Sequence, residues 1–144
     1  MIEFSLLDLA LFGLGGGVGA AARFMVDGEI RSRHRGGFPW GTVVVNVSGS
    51  FLIGVFSTLV ATLTPLGVPA EVAHLVQYPL MVGLCGGYTT FSTSTVESVR
   101  LAQSGRLHLA LGNTLGTLVA TVLAAAAGIQ VGIAVGAAVG GLSG

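Results

Sequence analysis

Charge is what this sequence has least of. Aspartate, glutamate, lysine and arginine make up 8% of its 144 residues, against roughly 25% in soluble globular domains. So few charges cannot coat a soluble globule, whereas a lipid-facing exterior needs no polar cover. There is no lysine: the six basic residues are all arginines, and six acidic residues bring the net charge to zero. That removes the electrostatic footprint of nucleic-acid binding. A single cysteine, Cys85, excludes an intramolecular disulfide framework and a cysteine zinc cluster. In its apolar run it reads as a small packing residue. The N-terminus carries Glu3 and Asp8 instead of a basic stretch, so no cleavable signal peptide is expected.

What the chain does have is apolar length. A bilayer-spanning helix needs about 20 mostly apolar residues. Four stretches meet that, at about 6–26, 40–63, 75–101 and 107–132. They form one four-span, all-α membrane domain, with a multi-pass location in the plasma membrane expected. Polar, Gly-rich residues 27–37 separate the first two spans, Pro65, Gly67 and Pro69 end the second, and Gln103 to Arg106 divide the third from the fourth. Phe38 and Trp40 stand where an interfacial aromatic belt belongs. From Leu107 to Gly144 a straight helix would measure roughly 55 Å, against a core of ~30 Å. It is therefore expected to end or leave the membrane around Gly128 to Gly136.

The third span is unusual. Two glycines, Gly86 and Gly87, and a Thr/Ser run from Thr89 to Thr95 fall at its middle. Such residues form helix poorly. The spacing predicts a helix that breaks at Gly86-Gly87 and resumes after Phe91. Irregular backbone at mid-membrane depth must be buried in protein or line a water-filled path.

Polar groups in the other spans fall at helical spacing. Thr42, Asn46, Ser50 and Gly54 form one stripe; Asn113, Thr117 and Thr121 form another, beside Gly112, Gly116 and Ala120. The bland alternative is helix packing through small residues, to which Gly13-x-x-x-Gly17 in the first span also belongs. An amide at mid-membrane needs a partner or a task, so Asn46 stands out. Arg23 is a snorkelling anchor, the partner of a buried carbonyl, or an attractor of anions to a pore mouth. Glu97 is an anchor, a buried partner for Arg23, or part of a pathway. His34, His74 and His108 lack metal-ligand spacing and read as surface residues. No nucleophile–base pair converges, so no enzyme is expected. The core offers neutral donors, the positive edge of the Phe91 ring, and freed carbonyls at Gly86 and Thr89 suited to a small cation. Neutral donors suit a conducting path that must also release its ion.

Three motifs carry a resemblance. Gly-Ala-x-x-Arg-Phe (19–24), Gly-Thr-x-x-x-Asn-x-x-Gly-Ser (41–50) and Gly-Gly-x-Thr-Thr-Phe-Ser-Thr-x-x-x-Glu (86–97) resemble the Fluc/CrcB fluoride channel family. The resemblance implies an antiparallel dimer with two fluoride pathways and passive fluoride exit that limits toxicity. It implies a central sodium ion, not transported, on the backbone carbonyls of Gly86 and Thr89 from both subunits. It also implies pathway roles for Asn46 and Phe91, hydroxyls at Thr117 and Thr121, and Arg23 near the vestibule. Thr42, Thr90 and Ser92 lie on matching positions, as does Glu97. Where the family often has a second phenylalanine, three residues after the first, this chain has Ser94; one pathway would use a different coordinating group.

The arginines, at 23, 31, 33, 35, 100 and 106, all fall on or at the edge of the side shared by the first and third loops. The positive-inside rule then predicts one orientation, with both termini outside. A homodimer of opposed copies would want a balanced count, so an oppositely oriented paralogue is the expected partner. A small drug/proton antiporter, the main rival, would want a carboxylate in the middle of the first span, and none is there. A purely structural subunit would need neither Asn46, nor a broken third span, nor the Asn113, Thr117 and Thr121 stripe.

Overall fold

The computed structural model describes residues 5–34, 36–58 and 67–142. Glu3, Arg35, the expected end of the second span at Leu63, and Pro65 lie outside them. Among the described residues the secondary structure is entirely helical. Helix α1 is Leu6–Arg33 and α2 is Trp40–Ser57. Helix α3, Ala70–Tyr78, runs into a π-helical segment, Pro79–Cys85, and a single α-turn, Gly86–Tyr88. Helices α4, Phe91–Gln103, and α5, Leu107–Leu142, complete the chain. Three of these, α1, α2 and α5 up to Val139, are long and apolar enough to cross a membrane.

Helix α1 opens on a reciprocal cap: Ser5 Oγ accepts from the Asp8 N–H at 3.2 Å, and Asp8 Oδ2 accepts from the Ser5 N–H at 2.8 Å. It continues two turns past the expected end at Val26. Residues 27–33, read as loop from their polarity, are helical because their charges sit at i, i+4. Asp27 meets Arg31 at 2.7 Å and Glu29 meets Arg33 at 2.5 Å.

The close contacts of α1 also differ from expectation. A Cβ on Gly13 or Gly17 would meet nothing within 4 Å. The tight face is Gly15, Gly16 and Gly19, pressed on the backbone of Pro79, Gly83, Leu84 and Gly87. Gly87 is therefore a contact residue, and both it and Gly86 stay helical (Gly86 φ −64°, ψ −39°). The chain leaves helical geometry later, at Thr89 (φ −77°, ψ 161°) and Thr90 (φ −149°, ψ 121°). The expected break at Gly86-Gly87 is thus displaced to the β-branched pair, whose extended conformation is cheap for Thr.

Helix α2 packs most extensively along α5, and also meets α1 and the π segment. Gly54 sits on the backbone of Ala125, Gly128 on that of Phe51, and Gly132 against Thr58. By contrast Gly112 and Gly116, expected to be a packing face, have nothing within 4 Å. Helix α5 does not end at 128–136. It runs 36 residues, about 54 Å at ~1.5 Å per residue; no proline interrupts it, and Gly128 and Gly132 are used as contacts. Large apolar side chains on α1 and α5 face outward, among them Leu14, Phe24, Leu111, Leu115 and Val122. Among the described residues the buried apolar set is small: Val45, Ala73, Cys85, Leu101 and Ala110. His74, expected at the surface, is half-buried and stacks on Tyr78 with centroids 5.3 Å apart.

Candidate functional site: a groove beside an extended dipeptide

The site begins with the two residues that leave the helix. Asn46, buried on α2, takes both polar groups of Thr90. Its Nδ2 donates to the Thr90 carbonyl at 2.9 Å, and its Oδ1 accepts from the Thr90 N–H at 2.7 Å. The amide thus acts like a neighbouring strand for one residue. Helix α4 then starts with its own cap, as Thr90 Oγ1 accepts from the Thr93 N–H at 3.3 Å. Thr90 Oγ1 also lies 3.0 Å from Thr93 Oγ1 and 3.4 Å from Ser92 Oγ.

These bonds release two carbonyls. In an uninterrupted helix the Thr90 N–H would bond Gly86 C=O and the Thr93 N–H would bond Thr89 C=O. Both amides are engaged elsewhere. The Thr89 oxygen has Arg23 Nη1 at 3.5 Å. Thr89 Oγ1 donates to Cys85 C=O at 2.9 Å.

Beside this backbone lies a groove of about 610 Å³. Helix α2 contributes Asn46, Ser50 and Ile53; α4 contributes Phe91, Ser94, Thr95, Ser98 and Val99; α5 contributes Thr114, Thr117, Leu118 and Thr121. No ionisable side chain lines it. Phe91 is 87% exposed at its mouth. Thr117 is buried, and its Oγ1 has no hydrogen-bond partner among the described residues. Thr121 Oγ1 donates to Leu118 C=O at 2.9 Å.

A second cavity, about 220 Å³, opens on the other side of Thr90. Arg23, Phe24, Asp27, Thr42 and Thr93 line it. Thr90 borders both spaces. Glu97 and Ser92 belong to neither; they line a third hollow with Arg31 and Arg100. Of the alternatives for Glu97, pairing with Arg23 is replaced by an ion pair with Arg31, which also bonds Asp27 and reaches Thr42 Oγ1 at 3.4 Å.

Several contacts were invisible from spacing alone. Asn113 is fully buried, and its Nδ2 donates to Ser94 C=O at 3.2 Å and Ser98 Oγ at 2.8 Å. Gln77 Nε2 donates to Phe56 C=O at 3.0 Å and Ser57 C=O at 3.1 Å, closing the end of α2. Ser48 Oγ lies 3.0 Å from the Tyr88 hydroxyl. The signal available was only that Gln77 and Asn113 are amides in apolar helices, where an unpaired amide is costly.

The family description "CrcB-like protein, Camphor Resistance (CrcB)" matches residues 10–129. The chain belongs to the CrcB-like family. Its CrcB-like relatives include the fluoride-specific ion channel FluC of Methylocella silvestris, 43% identical over 74% of this chain and 79% of the relative. The fluoride-specific ion channel FluC of Opitutus terrae is 41% identical over 71% and 74%. The fluoride-specific ion channel FluC 2 of Cutibacterium acnes is 46% identical over 62% and 68%. The matched region covers most of α1, all of α2, the Thr89–Thr90 interruption and most of α5, and so holds every residue of both cavities.

Proposed function

We propose that this chain is a subunit of a fluoride-specific channel that lets fluoride leave the cytoplasm passively and so limits its toxicity. The observation that carries the reading is the neutral groove of Asn46, Phe91, Ser94, Thr117 and Thr121, in a chain whose relatives are named fluoride channels and not enzymes. A fluoride ion must exchange its water for donors that hold it weakly enough to let go. Hydroxyls, one amide and aromatic ring edges supply that; a lysine or arginine inside the groove would trap the ion. Asn46 commits one N–H to Thr90 and, among the described residues, keeps its second N–H uncommitted. The cavity with Arg23 and Thr42 serves as the entrance, where a guanidinium attracts the anion, and Thr90 with Ser92 adjoins the passage. Glu97, held by Arg31, borders the same approach.

The spans 6–26, 40–63, 75–101 and 107–132 would lie in the plasma membrane, which puts Thr89 and Thr90 at mid-membrane. The assembly is an antiparallel dimer, with Phe91 of each copy against its partner. Gly86 and Thr89 fit a central sodium ion, because their carbonyls have lost their helical donors and hard cations take oxygen ligands. Such an ion would supply positive charge at the dimer centre without being transported. The one-sided arginines favour an oppositely oriented paralogue as the second subunit.

Fluoride efflux from liposomes holding this chain alone, beside a chloride control, tests the reading. Rapid fluoride-selective efflux is expected from the competent dimer. If it appears only when an oppositely oriented paralogue is added, the heterodimer stands. No efflux in either case would overturn the channel.

A further inference from the structure

The arginines at the α1, α4 and α5 ends surround a hollow separate from the groove and from the Arg23 cavity. It measures about 400 Å³, and Arg31, His34, Phe38, Arg100, Ser104 and Arg106 are among its lining residues. One carboxylate, Glu97, faces it, and that group is already matched with Arg31. Arg100 and Arg106 have no carboxylate partner among the described residues. Arg106 is held in place: its Nε donates to Ser104 Oγ at 3.2 Å, and its guanidinium lies against the Gly37 backbone, where a Cβ would collide with it.

We infer that this hollow binds the phosphate headgroup of an anionic lipid. Two guanidiniums without counter-charge offer forked donors that match phosphate oxygens. The surroundings favour a lipid over a free ion. The hollow lies at helix ends, where headgroups sit, and Phe38 packs tilted against Trp40 with centroids 4.8 Å apart, an aromatic pair of the kind found at membrane interfaces. Trp40 and Leu107 directly follow two lining residues, Pro39 and Arg106, and are 48% and 59% exposed. A phosphate in the hollow would leave its acyl chains along that apolar surface. Basic hollows between spanning helices on the positively charged side of a membrane suit such headgroups. The inference needs only that the chain lies in a bilayer, and it is separable from the fluoride reading.

Native mass spectrometry of the full chain in detergent, titrated with phosphatidylglycerol or phosphatidylcholine, tests it. Wild type should bind one phosphatidylglycerol per chain in preference to phosphatidylcholine. Replacing Arg100 and Arg106 together by glutamine should weaken that binding roughly 25-fold, at about fivefold per arginine near a membrane surface. Gly37→Ala keeps every charge but displaces Arg106, and should weaken it about fivefold. Thermal melting confirms that each variant is folded. Equal binding of the two lipids, or equal phosphatidylglycerol binding by folded variants and wild type, would overturn the site. Displacement of phosphatidylglycerol by millimolar inorganic phosphate would assign it to free phosphate and overturn the lipid.

Discussion

Asn46 and Thr117 line the same groove, but their polar atoms are in opposite states. Asn46 spends its acceptor and one donor on the backbone of Thr90, at 2.7 and 2.9 Å. Thr117 is equally buried and its hydroxyl bonds nothing among the described residues. Polar groups inside a protein are normally satisfied, so the first is a structural bond, while the second is committed to no bond among the described residues. One groove thus meets a fixed wall at Asn46 and an available one at Thr117.

The largest expected effect breaks the fixed wall. Asn46→Ala strands a buried N–H and a buried C=O, at ~1–3 kcal/mol each, so it should cost about 2 to 6 kcal/mol of stability. Thermal melting in detergent would read this directly; a melting curve like wild type would show that Thr90 does not depend on Asn46. A smaller effect separates the two glycine faces of α1. Gly19→Ala drives a methyl into the backbone at Leu84 and should cost about 1–3 kcal/mol. Gly17→Ala meets nothing and should be neutral, or stabilising by up to ~1 kcal/mol through helix propensity. Equal losses from both would mean that the Gly15–Gly19 face is not the tight one. The smallest change in stability belongs to the available wall. Thr117→Val keeps the shape and removes an unbonded hydroxyl, so stability should move by less than ~1 kcal/mol. Fluoride efflux should nevertheless fall about tenfold or more, since a hydrogen bond to an ion is worth ~1.5–3 kcal/mol. A large melting shift with normal efflux would reverse the assignment of the two walls.

Much of this was legible in the residues. Apolar length marked α1, α2 and α5, and helical spacing placed Asn46 on one stripe and Thr117 and Thr121 on another. The errors share a physical cause. Polarity made residues 27–33 look like a loop because i, i+4 ion pairs do not show in hydropathy. Glycine signified helix breaking at Gly86 and Gly87, but Gly87 serves close contact with α1, and the interruption fell on Thr89 and Thr90. The same ambiguity misplaced the contact faces at Gly13, Gly17, Gly112 and Gly116. The Arg31–Glu97 pair and the Asn113–Ser98 bond join residues far apart in sequence, which spacing within one helix cannot reveal.

The Asn46–Thr90 pairing sets very different tolerances at its two ends. Asn46 reads only main-chain atoms, so the pairing itself places no demand on the side chain at 90. That side chain caps α4 and meets the Thr93 and Ser92 hydroxyls, and as a cap Ser, Asp or Asn can replace it. Position 46 has no such alternatives. Asp lacks the donor, Gln adds a methylene that pushes the amide out of register, and Ser cannot span both backbone groups. In a library randomised at both sites and selected for a folded chain, position 90 should return a small polar set, and position 46 should return asparagine alone.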